Sequence, residues 1–226
     1  MERIQPIIIY ANHADFQQTN VISGLISQGT GGVTEGLKNR IVLPLTGIYK
    51  TSNHVLGHEL VHAFQFDIMN RQSKKGQPFS SPRLPLWFVE GMAEYYSIGQ
   101  EDPLTAMWLR DAVLHEDIPT IKDVGSDPKY FPYRWGYAIW IYIGDKWGDK
   151  IISSIFREVL WKGWNKGFER IIGMKPDSLS KEWNAHIKET YQPQISGRTE
   201  PQDIGRQLFE DDLGFNLAPA ISPDGK

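Results

Sequence analysis

The chain has no cysteine among its 226 residues, which removes disulfides, thiolate metal sites and cysteine nucleophiles together. Any bound metal must therefore be held by histidine and carboxylate. Long hydrophobic runs are also missing. Near the N-terminus the apolar run "IIIY" has Pro6 and charged residues just upstream; it is too short for a membrane span or the core of a signal peptide, and neither is expected. A cationic excess is lacking too. With a formal net charge of -3 and no stripe of Lys and Arg interleaved with aromatics, nucleic acid is excluded as an expected partner. The absence of an internal repeat of about 20 to 50 residues excludes a solenoid.

What remains is an ordinary globular composition, 40% hydrophobic and 23% charged, long enough for one sizeable core. The aromatic load of 8 Trp, 9 Tyr and 10 Phe is concentrated between residues 86 and 168, where core packing accounts for it. "PIIIY" reads as a buried strand and "ADFQQTNVISGLI" (14–26) as a helix beginning near Asn12 or His13. "GTGGVTEGLKNRIVLPL" (29–45) reads as a hairpin or two edge segments, with Pro44 at a sheet edge or a strand end. A helix is expected over about 53–69, with Thr51, Ser52 or Asn53 as its cap. A polar loop should follow at 71–85, then a helix in "LWFVEGMAEYYSIG". From about 103 the apolar spacing is mostly helical. Residues 1–192 therefore form one domain, and 193–226 are polar, turn-rich and aperiodic, a linker or tail.

The chemistry concentrates in "VLGHELVHAF". Residues four apart on an α-helix are turned by about 40° and rise about 6 Å, so His58 and His62 project from one face and can share a metal ion. Glu59 is placed to act as general base toward a water activated by that metal. A catalytic zinc site needs a third protein ligand and an open position. His54 lies too far along the helix from His62, about 12 Å, to share the ion. Asp67 fails as well, because the one-helix pattern needs Gly and a ligand three and six residues after the second histidine, where Gln65 and Ile68 stand. Glu90 in "PLWFVEGMAEYY" is the better candidate. Glu94, one turn on, can hydrogen-bond the free ring nitrogen of a zinc histidine, whereas a plain helix gains nothing from two like charges at that spacing.

"HELVH" followed by "WFVEGMAEY" resembles the gluzincin metallopeptidases, the thermolysin and aminopeptidase group. The resemblance covers about residues 4–190. It implies His58, His62 and Glu90 as zinc ligands, Glu59 as base and Glu94 as the supporting acid, in an α+β fold: an N-terminal mixed sheet, the metal helix, the glutamate helix and a helical C-terminal lobe. "YRWGYAIWIYIGDKWG" is similar to the gluzincin segment whose tyrosine hydrogen-bonds the transition state, which implies that role for Tyr133, with Tyr137 as the substitute. "GGVTEGLKNRIVLPL" occupies the place of the strand that pairs with substrate backbone. It lacks the Met and Asn of the aminopeptidase Gly-x-Met-Glu-Asn motif, which leaves Glu35 as an imitation of the amine anchor and favours an endopeptidase. "NLAPAISPDGK" (216–226) looks like the start of a TolB-like β-propeller repeat, so the resemblance implies a bacterial peptidase domain preceding a propeller, in the periplasm or at the cell surface, acting on a peptide or protein substrate. Three alternatives stay open on these residues: an aminopeptidase, a zinc hydrolase of other substrates, and a peptidase fold that serves as a binding module.

Overall fold

The computed structural model describes residues 4–73, 84–199, 201–206, 220 and 222–224. They form a mixed α/β architecture, mostly helical, with one small sheet. The order is β1 (Ile7–Tyr10), α1 (His13–Gln17), β2 (Val33–Glu35), β3 (Arg40–Pro44), α2 (Tyr49–Ser73), α3 (Leu86–Ile98), α4 (Pro103–Leu114), α5 (Ile121–Ser126), α6 (Pro132–Trp147), α7 (Asp149–Lys162), α8 (Trp164–Ile172), α9 (Pro176–Ile195) and α10 (Pro201–Ile204). Packing divides the chain into two units, Met1–Gln194 and Ile195–Lys226. The second holds α10 and a turn in which Ser222 Oγ donates to Asp224 Oδ1 at 2.6 Å. Most of the propeller-like stretch 216–226 and the loop residues 74–83 lie outside the described residues.

The sheet order is β1-β3-β2, with β1 parallel and β2 antiparallel to β3. The apolar strand β3 is therefore central, and Pro44 is tolerated because it is the last residue of the strand. Side chains alternate across β3. Ile41 and Leu43 face α2, where they meet Ala63, Val55, Leu56 and Leu60. Val42 points the other way, into a cluster with Phe16 and Ile26.

Three elements differ from the sequence expectation. Helix α1 stops at Gln17, because Val21, Ile22 and Ile26 pack against Phe16 and Val42 from a loop that turns at Gly24 (φ +92°). Asn12 caps it as expected, its side chain accepting from the Asp15 N–H at 2.9 Å. Helix α2 starts four residues early and ends four late; Ser52 lies in its first turn and accepts the Thr46 N–H at 3.2 Å instead of capping the end. Helix α5 was not anticipated. It is short, and a capping box between Thr120 and Asp123 defines its start.

The helical part packs around an aromatic cluster in which Phe88 lies 5.0–6.1 Å, centroid to centroid, from Trp140, Phe156, Trp164 and Phe168. Helices α3 and α6 touch backbone to backbone. A Cβ on Gly136 would lie 2.2 Å from the Trp87 carbonyl oxygen, and one on Gly91 would lie 2.3 Å from the Gly136 carbonyl carbon. No rotamer change relieves a clash with backbone, so a single methyl must push the helices apart. Gly136→Ala is expected to destabilise the protein by about 3 kcal/mol or more, at the upper end of overpacking effects. A thermal melt reads this directly, and an unchanged melting temperature would contradict the contact.

Candidate metal centre

Helix α2 presents its apolar side to the sheet and its histidines to α3. His58 Nε2, His62 Nε2 and Glu90 Oε2 form a nearly equilateral triangle: 3.0 Å between the two nitrogens and 3.1 Å from each nitrogen to the oxygen. These are the three atoms able to hold one metal ion among the described residues. Tetrahedral zinc with bonds of about 2.0–2.1 Å needs its donors about 3.3–3.4 Å apart. The observed edges fall within a few tenths of an ångström of that, and the donor set of two imidazoles and one carboxylate is of the catalytic type, so the residues fit the ion.

Each histidine is held from behind. His58 Nδ1 lies 2.8 Å from Glu94 Oε1, an ion-pair distance, although the contact is not a linear hydrogen bond. His62 Nδ1 donates to Gln65 Oε1 at 2.8 Å, and the Gln65 amide donates in turn to the Val89 carbonyl at 3.0 Å. Gln65 is almost fully buried. It fixes the tautomer of His62 and ties α2 to the residue preceding Glu90. In the sequence Gln65 stands where a one-helix ligand pattern would need glycine; its spacing of three from His62, which puts both on one helix face, is the signal for this contact. Gln65→Leu should weaken metal affinity by about ten- to a hundredfold, with Gln65→Glu, which keeps the acceptor, falling between. Chelator competition measures this, and equal affinity in all three proteins would rule the role out.

Glu59 is buried beside the triangle. Its Oε2 accepts from Thr34 Oγ1 at 2.6 Å. Thr34 pairs with Ile41, on the sheet face turned toward α2. Gly32, two residues earlier on the same face, leaves room for the carboxylate; a Cβ there would come 3.2 Å from Glu59 Oε1. Neither Thr34 nor Gly32 was singled out in the sequence. Glu35 pairs with Arg40, so alternation puts it on the opposite face of the sheet. There its carboxylate is held by Lys38, at 2.8 Å, and by Arg40. It is not brought to the metal residues, and the expected anchor role finds no support in this placement.

Tyr133 reaches the centre from the first turn of α6. Its ring stacks on His58 at 5.8 Å with 13° between the planes, which brings its hydroxyl under the influence of the Glu90 carboxylate. Burial, reinforced by Glu90, raises its pKa, so it stays a proton donor. Tyr137 is fully buried and spends its hydroxyl on the Gly99 carbonyl at 3.0 Å, which removes it as the substitute. His54, rejected as a ligand, sits 3.5 Å from Glu94. Arg110 and Asp111 engage Gln194 and His115 rather than the centre. A separate cavity of about 480 Å³ with Leu109, Ile141 and Trp183 in its wall contains none of these residues. Donor geometry, not concavity, marks this site.

Burial opposes the charge on both His58 and Glu90, but their mutual contact and the surrounding groups outweigh it. His58 is raised to about 9 and Glu90 lowered to about 2. In the metal-free protein at pH 7, His58 is thus protonated and must give up that proton to become a ligand, while Glu90 is already ionised. Metal uptake at pH 7 should release about one proton per ion, and apparent affinity should rise about tenfold per pH unit until about pH 9. Calorimetry in two buffers of different ionisation enthalpy counts the protons, and zero release would contradict the assignment.

Among the described residues no helix is long and apolar enough to cross a membrane. Comparison of the chain with known family models, curated proteins and solved structures finds no match.

Proposed function

We propose that the protein is a zinc-dependent peptidase of gluzincin type, cutting within polypeptides. The observation that carries this reading is the triangle of His58, His62 and Glu90 at 3.0–3.1 Å, with the buried carboxylate of Glu59 near it and the Tyr133 ring stacked on His58. Zinc bound there supplies a Lewis acid that polarises a carbonyl and makes a water acidic near neutral pH. Glu59 accepts the proton of the attacking water and returns it to the leaving amine. Thr34 occupies Oε2 and holds the carboxylate in one orientation, leaving Oε1 to carry the proton. Tyr133 donates a hydrogen bond to the developing oxyanion.

A peptide substrate is favoured by β2, which lies at the edge of the sheet and leads from Gly32 to Thr34 past Glu59. An edge strand offers its free backbone groups to an extended chain. A β-propeller following the domain and a location outside the cytoplasm belong to the same proposal and rest on the resemblance alone. The test is mass spectrometry of a mixed peptide library incubated with the zinc-loaded protein. Internal cuts that disappear on chelation support the reading; an intact library with zinc demonstrably bound counts against it.

A further inference from the structure

The segment "TAMWLRDAV" has no role in the chemistry above, yet α4 is held close to it. Asp102 caps α4 by accepting from the Thr105 N–H at 2.8 Å, and it also accepts from the guanidinium of Arg134, the residue after Tyr133. This tie sets Trp108 beside Phe131, with ring centroids 6.3 Å apart. Phe131 stacks on Tyr133 at 5.1 Å and 18°, and Tyr133 stacks on His58. The rings thus form one row from the metal centre to the surface.

The outer part of the row is not core. Phe131 is 48% exposed and Trp108 36%, with Met107 beside it at 50%. Beyond Trp108 the row opens into a cavity of about 470 Å³, walled by Met107, Trp108, Tyr130 and Trp135. The ionisable groups at its rim face one another: Lys129 pairs with Asp117 at 2.5 Å, Asp117 also accepts from the Tyr130 hydroxyl at 2.7 Å, and Asp111 lies 3.5 Å from His115. No unpaired charge is offered to an ionic ligand by Lys129 and Asp117, whereas exposed aromatic surface gains from being covered.

We propose that this row is a substrate-recognition track, which takes an aromatic or bulky aliphatic side chain of the polypeptide within about five extended residues of the bond that is cut. The limit comes from the three ring-to-ring steps. The proposal rests on the peptidase reading for its position along the substrate, and on the exposed rings for its chemistry. Phe131 and Trp108 are specificity-determining residues that never touch the reacting atoms.

The experiment scans a single Phe along an alanine-rich peptide and measures kcat/KM with the zinc-loaded wild type, Phe131→Ala and Trp108→Ala. Both substitutions are at exposed positions, and circular dichroism checks that the fold is kept. In the wild type, Phe at one or two positions should lower KM by about five- to tenfold relative to Ala, the scale of one partly buried aromatic contact. Either substitution should bring that ratio close to one. A ratio near one in the wild type, or one that survives both substitutions, overturns the track. Binding of the same peptides to zinc-loaded Glu59→Gln, followed by fluorescence anisotropy, separates this from the peptidase reading. Discrimination that is lost with Phe131→Ala upholds the track even if the wild type cuts nothing, in which case only the peptidase reading falls. Equal binding of Phe and Ala peptides overturns the track.

Discussion

Glu59→Gln should leave zinc bound and lower kcat by about a hundred- to ten-thousandfold, the range spanned by a positioned general base. The amide is almost the same size as the carboxylate, and its oxygen can still accept from Thr34 Oγ1, which holds Glu59 Oε2 at 2.6 Å. Position is therefore kept while basicity is lost. Glu59 is not one of the three donor atoms of the triangle, so zinc content measured by elemental analysis should equal that of the wild type. Full turnover in this variant would remove Glu59 from the chemistry; loss of zinc would mean that the donor set is wrong.

Glu90→Ala should have the opposite signature. It deletes the only anionic donor of the triangle and leaves two imidazoles facing each other at 3.0 Å. It also strips His58 of the contact that helps raise its pKa to about 9. Loss of a direct ligand should exceed the ten- to hundredfold typical of a supporting group, so a fall in zinc affinity of more than about a hundredfold is expected. Competition against a chromogenic chelator measures it. Affinity within a few fold of wild type would show that the ion, if bound, sits elsewhere.

The two variants together test the parts that were legible in the sequence, and legibility followed the physics of the helix. His58 and His62 could be paired from their spacing alone, since four residues bring side chains to one face. Glu90 and Glu94 followed from the same rule applied to a second helix, with the donor requirement of zinc linking the two. The phenol of Tyr133 came from resemblance, because nothing in local periodicity separates it from Tyr137; only the tertiary structure shows that Tyr137 is used up by Gly99. Contacts that depend on how the sheet meets α2 were invisible. Thr34 acquires its partner through the register of β2 on β3, which also turns Glu35 away. The reach of α1 was overestimated because Val21, Ile22 and Ile26 carry an apolar spacing that a loop satisfies equally well. Gln65 was in plain view, but its meaning depends on the Val89 carbonyl arriving from α3.

The bare contact between Gly91 and Gly136 has a bearing on how such a site tolerates change. The approach of α3, which carries Glu90, to α6, which carries Tyr133, has a floor set by main chain resting on main chain, and Phe88 and Trp140 of the same two helices meet beside it at 5.0 Å. Repacking that cluster, by exchanging one aromatic for another or trimming a ring, can loosen the helical part, but it cannot draw α3 and α6 closer than their backbones allow. Changes among the rings can therefore widen the gap between the two helices but not narrow it, and positions 91 and 136 must stay without a side chain.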